Sequence, residues 1–225
     1  MLSVGPLKNM TLNRSKLCVI CGVNEATTSD HVPPKNLFPK PRPHLITVPA
    51  CVQCNNLASE YDEKIMLYIS LQIGPEEVRT KQLWENKALK SLKRNKRFQK
   101  EIIGRMKEVS LVDESGQKIK NAIAFLAEES IYYGVFERIV RGLYFHHFHE
   151  ILGPNVSFMV QPSAFLPDEI FEASEGLAQN EIGGEAFIYR YGRTIEEPKS
   201  TLWIFQLYKK HWVIVTTTEI KAQPL

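Results

Sequence analysis

Two Cys-x-x-Cys pairs, Cys18/Cys21 and Cys51/Cys54, account for every cysteine in this 225-residue chain. Thiols used only in two close pairs are expected to act together. Four thiolates in two such knuckles suit one tetrahedral zinc. The gap between the pairs exceeds the roughly 15–20 residues of a plain zinc ribbon, and the extra length carries Asp30-His31-Val32-Pro33-Pro34. The zinc is therefore expected to tie off a loop that carries chemistry. Residues 18–60 are short, turn-rich and proline-rich, so they build little core by themselves. Metal binding offsets this, because a structural zinc contributes on the order of 10–16 kcal/mol directly to folding.

Asp30, His31 and Asn55, which directly follows Cys54, form a second group. A carboxylate and an amide oxygen are hard ligands that suit Mg²⁺ or Mn²⁺ rather than zinc. An imidazole with an ordinary pKa near 6.5 is suited to taking a proton from water at neutral pH. A zinc that pins both knuckles brings Asn55 toward Asp30-His31. Together these parts make a single-metal site for phosphodiester hydrolysis.

In their order, Cys18-x-x-Cys21, Asp30-His31-Val32-Pro33-Pro34 and Cys51-x-x-Cys54-Asn55 resemble the HNH endonucleases, the ββα-metal fold. The Asp-His pair is similar to that of the HNH module in RNA-guided CRISPR effectors. The resemblance covers about residues 18–63. It implies that Asp30 is a metal ligand, His31 the general base and Asn55 the second ligand, with Asn56 an alternative. The chain departs from the family at the middle Asn that orients the histidine, whose place falls near Ile46. His44 and Asn36 are the nearest substitutes. Glu60, Asp62 and Glu63 lie within two helical turns and are expected to support the site.

The remaining pattern is mixed. Leu45–Pro49 reads as a strand, and Tyr61, Ile65, Tyr68 and Ile69 give a helical period ended by Gly74-Pro75. Residues 76–109 read as one long helix or two, 110–118 as a polar turn, and 118–151 as a third helical stretch. Val156–Gln161, Ala186–Tyr191, Thr201–Tyr208 and Trp212–Thr218 read as strands. Residues 87–107 form the strongest charge run, with Lys93, Arg94, Lys96 and Arg97 the densest group and Glu101 the sole acid. His147 falls on the apolar face of its helix, as a core or interface histidine would.

The expected fold is α+β. Residues 1–75 form a small zinc-tied ββα-metal module, and 76–225 a helical segment followed by an antiparallel sheet. The expected function is a metal-dependent endonuclease acting on DNA, with the basic segment on the phosphate backbone. The alternative is a zinc-module nucleic-acid-binding protein without turnover. A further reading gives residues 76–225 a homo-oligomeric or regulatory protein partner, which nothing in the sequence identifies. No run approaches the roughly 20 apolar residues of a membrane span. Met1–Pro6 lacks a secretory pattern, so a cytoplasmic location is expected.

Overall fold

A computed structural model describes residues 17–73 and 78–221. The lead-in expected over residues 1–17 (apart from Leu17) and the stop at Gly74-Pro75 lie outside them. The protein is mixed α and β, with all its strands antiparallel. After the first knuckle, β1 (Thr28–Val32) and β2 (Ile46–Ala50) form a hairpin whose long connection holds a 3-10 turn at Lys35–Leu37. The register sets Asp30 opposite Val48 and His31 opposite Thr47. Side chains alternate along a strand, so Asp30 and Val32 are buried while Ser29 is exposed and His31 half-exposed. The helix expected after Cys54 is α1 (Val52–Ile73), which already contains the second knuckle's Cys54.

The stretch 76–109 differs from its sequence reading. It holds α2 (Val78–Leu83), a π-helical turn (Trp84–Ala88), α3 (Leu89–Arg94) and α4 (Lys96–Gly104). The break falls at Asn95, whose extended backbone starts α4 and whose side chain accepts the Phe98 N–H at 3.0 Å, as an N-cap does. From Met106 the chain is a hairpin, β3 (Met106–Val112) with β4 (Lys118–Phe125), where helix had been expected at both ends. Asp113 closes it by accepting the N–H groups of Ser115 and Gln117, both at 2.9 Å, which is turn chemistry. The apparent helical face at Ile119, Ile123 and Leu126 is no buried face: these residues are 63, 72 and 48% exposed.

The third expected helix begins only at Glu129, as α5 (Glu129–Phe148). Four expected strands correspond to β5 (Val156–Ser163), β7 (Phe187–Arg193), β8 (Thr201–Leu207) and β9 (His211–Glu219). A short helix α6 (Asp168–Ala173) and a strand β6 (Ala178–Ile182) are additional, and the sheet runs β5-β9-β8-β7-β6.

Helix α5 is the axis of the core, packed on α1, on β1 and β2, and on the five-stranded sheet. Ile131, Val135, Phe136, Ile139, Val140 and Leu143 are buried along it, and the Phe136 ring meets Phe205 at 5.3 Å. Each such side chain contributes about 1.5–3 kcal/mol when fully buried. One continuous cluster joins Leu37, Phe38 and Ile65–Ile69 to Val135, Phe187 and Trp203. The apolar packing thus runs across the division at residue 75. At Gly142, α5 comes so close to β1 that an added Cβ would lie 2.6 Å from Val32 Cγ1. His147 bridges α5 to β7, its Nε2 3.0 Å from the Tyr189 hydroxyl and its Nδ1 2.9 Å from that of Tyr191. Among the described residues, no helix is long and apolar enough to cross a membrane.

Candidate metal centre

The two knuckles meet. One sulfur from each of Cys18, Cys21, Cys51 and Cys54 falls in a group whose members all lie within 4.8 Å of one another. A zinc tetrahedron with bonds of about 2.3 Å has edges of about 3.8 Å, so the cluster fits a zinc site. The first knuckle is a tight turn: Gly22, at φ +68°, donates its N–H to the Cys18 carbonyl at 2.8 Å. The second opens α1. Backbone bonds stitch the knuckles together, with Val19 N–H donating to Pro49 at 2.9 Å and Thr27 N–H to Ala50 at 3.2 Å.

The sulfurs are dressed with donors. Asn24 gives its backbone N–H to Cys21 Sγ at 3.5 Å and its side-chain amide to Cys51 Sγ at 3.7 Å. Cys54 N–H reaches Cys51 Sγ at 3.4 Å. Burial opposes ionisation of Cys51, but these donors hold its thiol down to about 6. Burial and the neighbouring thiols push Cys54 up, and burial pushes Cys18 up. Four crowded thiols cannot all ionise unless a cation sits among them, a charge that Zn²⁺ would supply.

Beside the knuckles lies the second group. Asn55, in the first turn of α1, donates its amide to the Ser29 carbonyl and to Thr28 Oγ1, both at 3.4 Å. These bonds tie Asn55 to the residues just before Asp30-His31 and leave its carbonyl oxygen unused by either. Asp30 is 6% exposed and turned inward. Its Oδ1 accepts the His31 N–H at 2.8 Å, and its Oδ2 lies 3.4 Å from Arg138 Nε of α5. The same guanidinium pairs with Asp62 of α1. Burial raises the Asp62 carboxyl to about 6 even though Arg138 pulls it down.

His31 points away from this buried pair. Among the described residues neither ring nitrogen has a hydrogen-bond partner, so neither His44, which is exposed, nor Asn36 takes the place of the missing Asn. Burial, then the charges of Lys35 and Arg42, lower its pKa, against the pull of Asp30. Asn56 is exposed. Glu63 serves a different partner set, accepting from Ser91 and pairing with Arg94, while Glu60 pairs with Lys64.

The basic residues Lys93, Arg94, Lys96 and Arg97 are all exposed, at the end of α3 and the start of α4. They are not free of acids. Arg94 lies 3.6 Å from Glu63, and Arg97 shares a surface hollow with Glu60, Glu63 and Glu101. Sequence reasoning missed Arg138 and Asn24. The available signal for Arg138 was an arginine set within the buried apolar run Val135–Val140. For Asn24 it was a side-chain amide just beyond the first knuckle.

No protein-family model, no curated protein and no solved structure matches the chain.

Proposed function

We propose that the chain is a metal-dependent endonuclease of the HNH type, hydrolysing phosphodiester bonds of DNA, with β1, β2 and α1 as its ββα-metal module. One observation carries the reading. Asn55 reaches back to the Ser29 carbonyl at 3.4 Å, which ties the start of α1, beside the cysteine cluster, to the residue before Asp30-His31. The donors suit a hard divalent cation: a carboxylate and an amide oxygen, with Asp30 Oδ2 buried and lacking a hydrogen bond. Asp30 and Asn55 would hold Mg²⁺ or Mn²⁺, which when bound polarises the phosphate and offsets its developing charge. His31 accepts the proton of the attacking water. Its half-exposed ring has both nitrogens unengaged among the described residues, and burial and the charges of Lys35 and Arg42 lower its pKa, which favours the unprotonated ring able to accept a proton. A cytoplasmic setting, where thiols stay reduced, suits the cysteine cluster.

The contact between Arg138 and Asp30 favours a second reading, a zinc-module nucleic-acid-binding protein without turnover. The guanidinium already neutralises the carboxylate that a catalytic cation would use. Incubating the protein with plasmid DNA and Mg²⁺ or Mn²⁺, beside His31→Ala, separates the two. The nuclease reading expects cleavage that falls at least about a hundredfold in the variant, with zinc content unchanged. DNA binding without cleavage would leave the second reading. Equal cleavage by parent and variant would overturn the role of His31.

A further inference from the structure

The loop between β1 and β2 leaves one residue after His31 and returns in register with it, since His31 lies opposite Thr47. It is held from beneath. Leu37 and Phe38 are 1% exposed in the core, and the Tyr208 hydroxyl of the C-terminal region donates to the Leu37 carbonyl. Lys87 of the π-helical turn reaches under the loop and donates to the carbonyls of Asn36 at 3.2 Å and Phe38 at 2.8 Å. One cation thus serves as the loop's internal clamp.

The outward side chains of this clamped loop are cationic. Lys35, Lys40 and Arg42 are all exposed, and none has an ion-pair partner among the described residues. Their charge is felt inside the loop: burial first, then Arg42, Lys40 and Lys35, hold Lys87 down to about 8. A clamped cationic surface whose charges form no ion pairs among the described residues suits a polyanion backbone. Ordering it costs little on binding, and each neutralised phosphate releases counterions. The basic run on α3 and α4 is more tempered, because Arg94 pairs with Glu63 and Arg97 shares a hollow with Glu60, Glu63 and Glu101.

We infer that Lys35, Lys40 and Arg42 form the phosphate-binding surface of this protein, guiding a DNA backbone past His31, with Lys87 as the residue that fixes the loop. This rests on the nucleic-acid reading above and identifies which part of the chain meets the nucleic acid.

The test is equilibrium binding of a short random duplex over a salt series, using the His31→Ala protein so that the DNA stays intact. Its comparison variants add K35Q/K40Q/R42Q or K93Q/R94Q/K96Q/R97Q, with zinc content checking that each is folded. On duplex DNA the salt slope falls by about 0.9 for each phosphate contact removed. The loop variant should therefore lose nearly three from its slope and bind all sequences more weakly, whereas the helix variant keeps most of the parent slope. A loop variant with the parent's affinity and slope would overturn the inference. So would a parent that does not bind duplex, or poly-glutamate displacing it as well as competing DNA does. The readout is binding alone. Absence of cleavage with the expected slopes would remove hydrolysis and leave the surface, and cleavage with an unchanged loop variant would do the reverse.

Discussion

Arg138 Nε lies 3.4 Å from Asp30 Oδ2, and both side chains are more than nine-tenths buried. The arginine stands on α5 and the aspartate on β1, in the hairpin between the two knuckles. A buried ion pair adds little net stability over an apolar pair, but removing one member strands the other's charge. Here one guanidinium serves two carboxylates, Asp30 and Asp62.

Arg138→Leu should therefore cost about 3–5 kcal/mol in urea denaturation. Adding Asp30→Asn to it should cost less than the sum of the two single changes, because one of the two stranded carboxylates is gone. If Arg138→Leu were as stable as the parent, the guanidinium would not be needed to neutralise Asp30.

Purified protein should carry about one zinc per chain. Cys51 is 5% exposed, and its sulfur accepts from Asn24 and from the Cys54 N–H. Cys51→Ser should lose the metal, and its N-terminal amides should exchange faster with solvent. Metal analysis of well-folded parent protein without zinc would refute the site.

Gly142→Ala tests how closely α5 meets β1. The new methyl would sit 2.6 Å from Val32 Cγ1, and overpacking of this kind costs about 1–3 kcal/mol. Unfolding should occur earlier by that amount while zinc content is retained. A variant as stable as the parent would mean that the hairpin and helix separate easily.

His211 makes stability depend on pH. It is 4% exposed, its Nε2 lacks a hydrogen bond, and burial lowers its pKa from 6.5 to about 4. Below pH 6.5 the unfolded chain takes up this proton and the folded chain does not, so stability falls as pH drops from 6.5 toward 4. The full loss is about 3 kcal/mol. Urea midpoints between pH 7 and 4 should decline less in His211→Leu than in the parent, and parallel declines would exclude His211 as the cause.

The cysteine cluster was legible because pairing and spacing are local properties. Four of the five strands of the large sheet were legible for the same reason, since β-branched and aromatic runs such as Thr201–Leu207 mark themselves, whereas β6, Ala-Gln-Asn-Glu-Ile, carries no such run. The hairpin at 106–125 was not. Ile119, Ile123 and Leu126 repeat with a helical step, yet the deciding interactions are backbone pairing and the Asp113 turn. The inward turn of Asp30 was illegible too, because its partner lies 108 positions further along and only the fold of α5 against β1 brings it there. The charge run on α3 and α4 looked unopposed in sequence. Glu60 and Glu63, from α1, temper it in space.

The continuous core limits where this cysteine cluster can go. A metal-tied segment that closed on itself could pass between proteins as a cassette. This one takes Val32, Leu37 and Phe38 from a hydrophobic surface completed by α5 and the C-terminal sheet. Its buried aspartate depends on an arginine of α5. Transplanted without α5, the segment would bring bare apolar side chains and an unneutralised charge. Any recombination that moved the cysteines to a new host would have to move Arg138 and Gly142 with them.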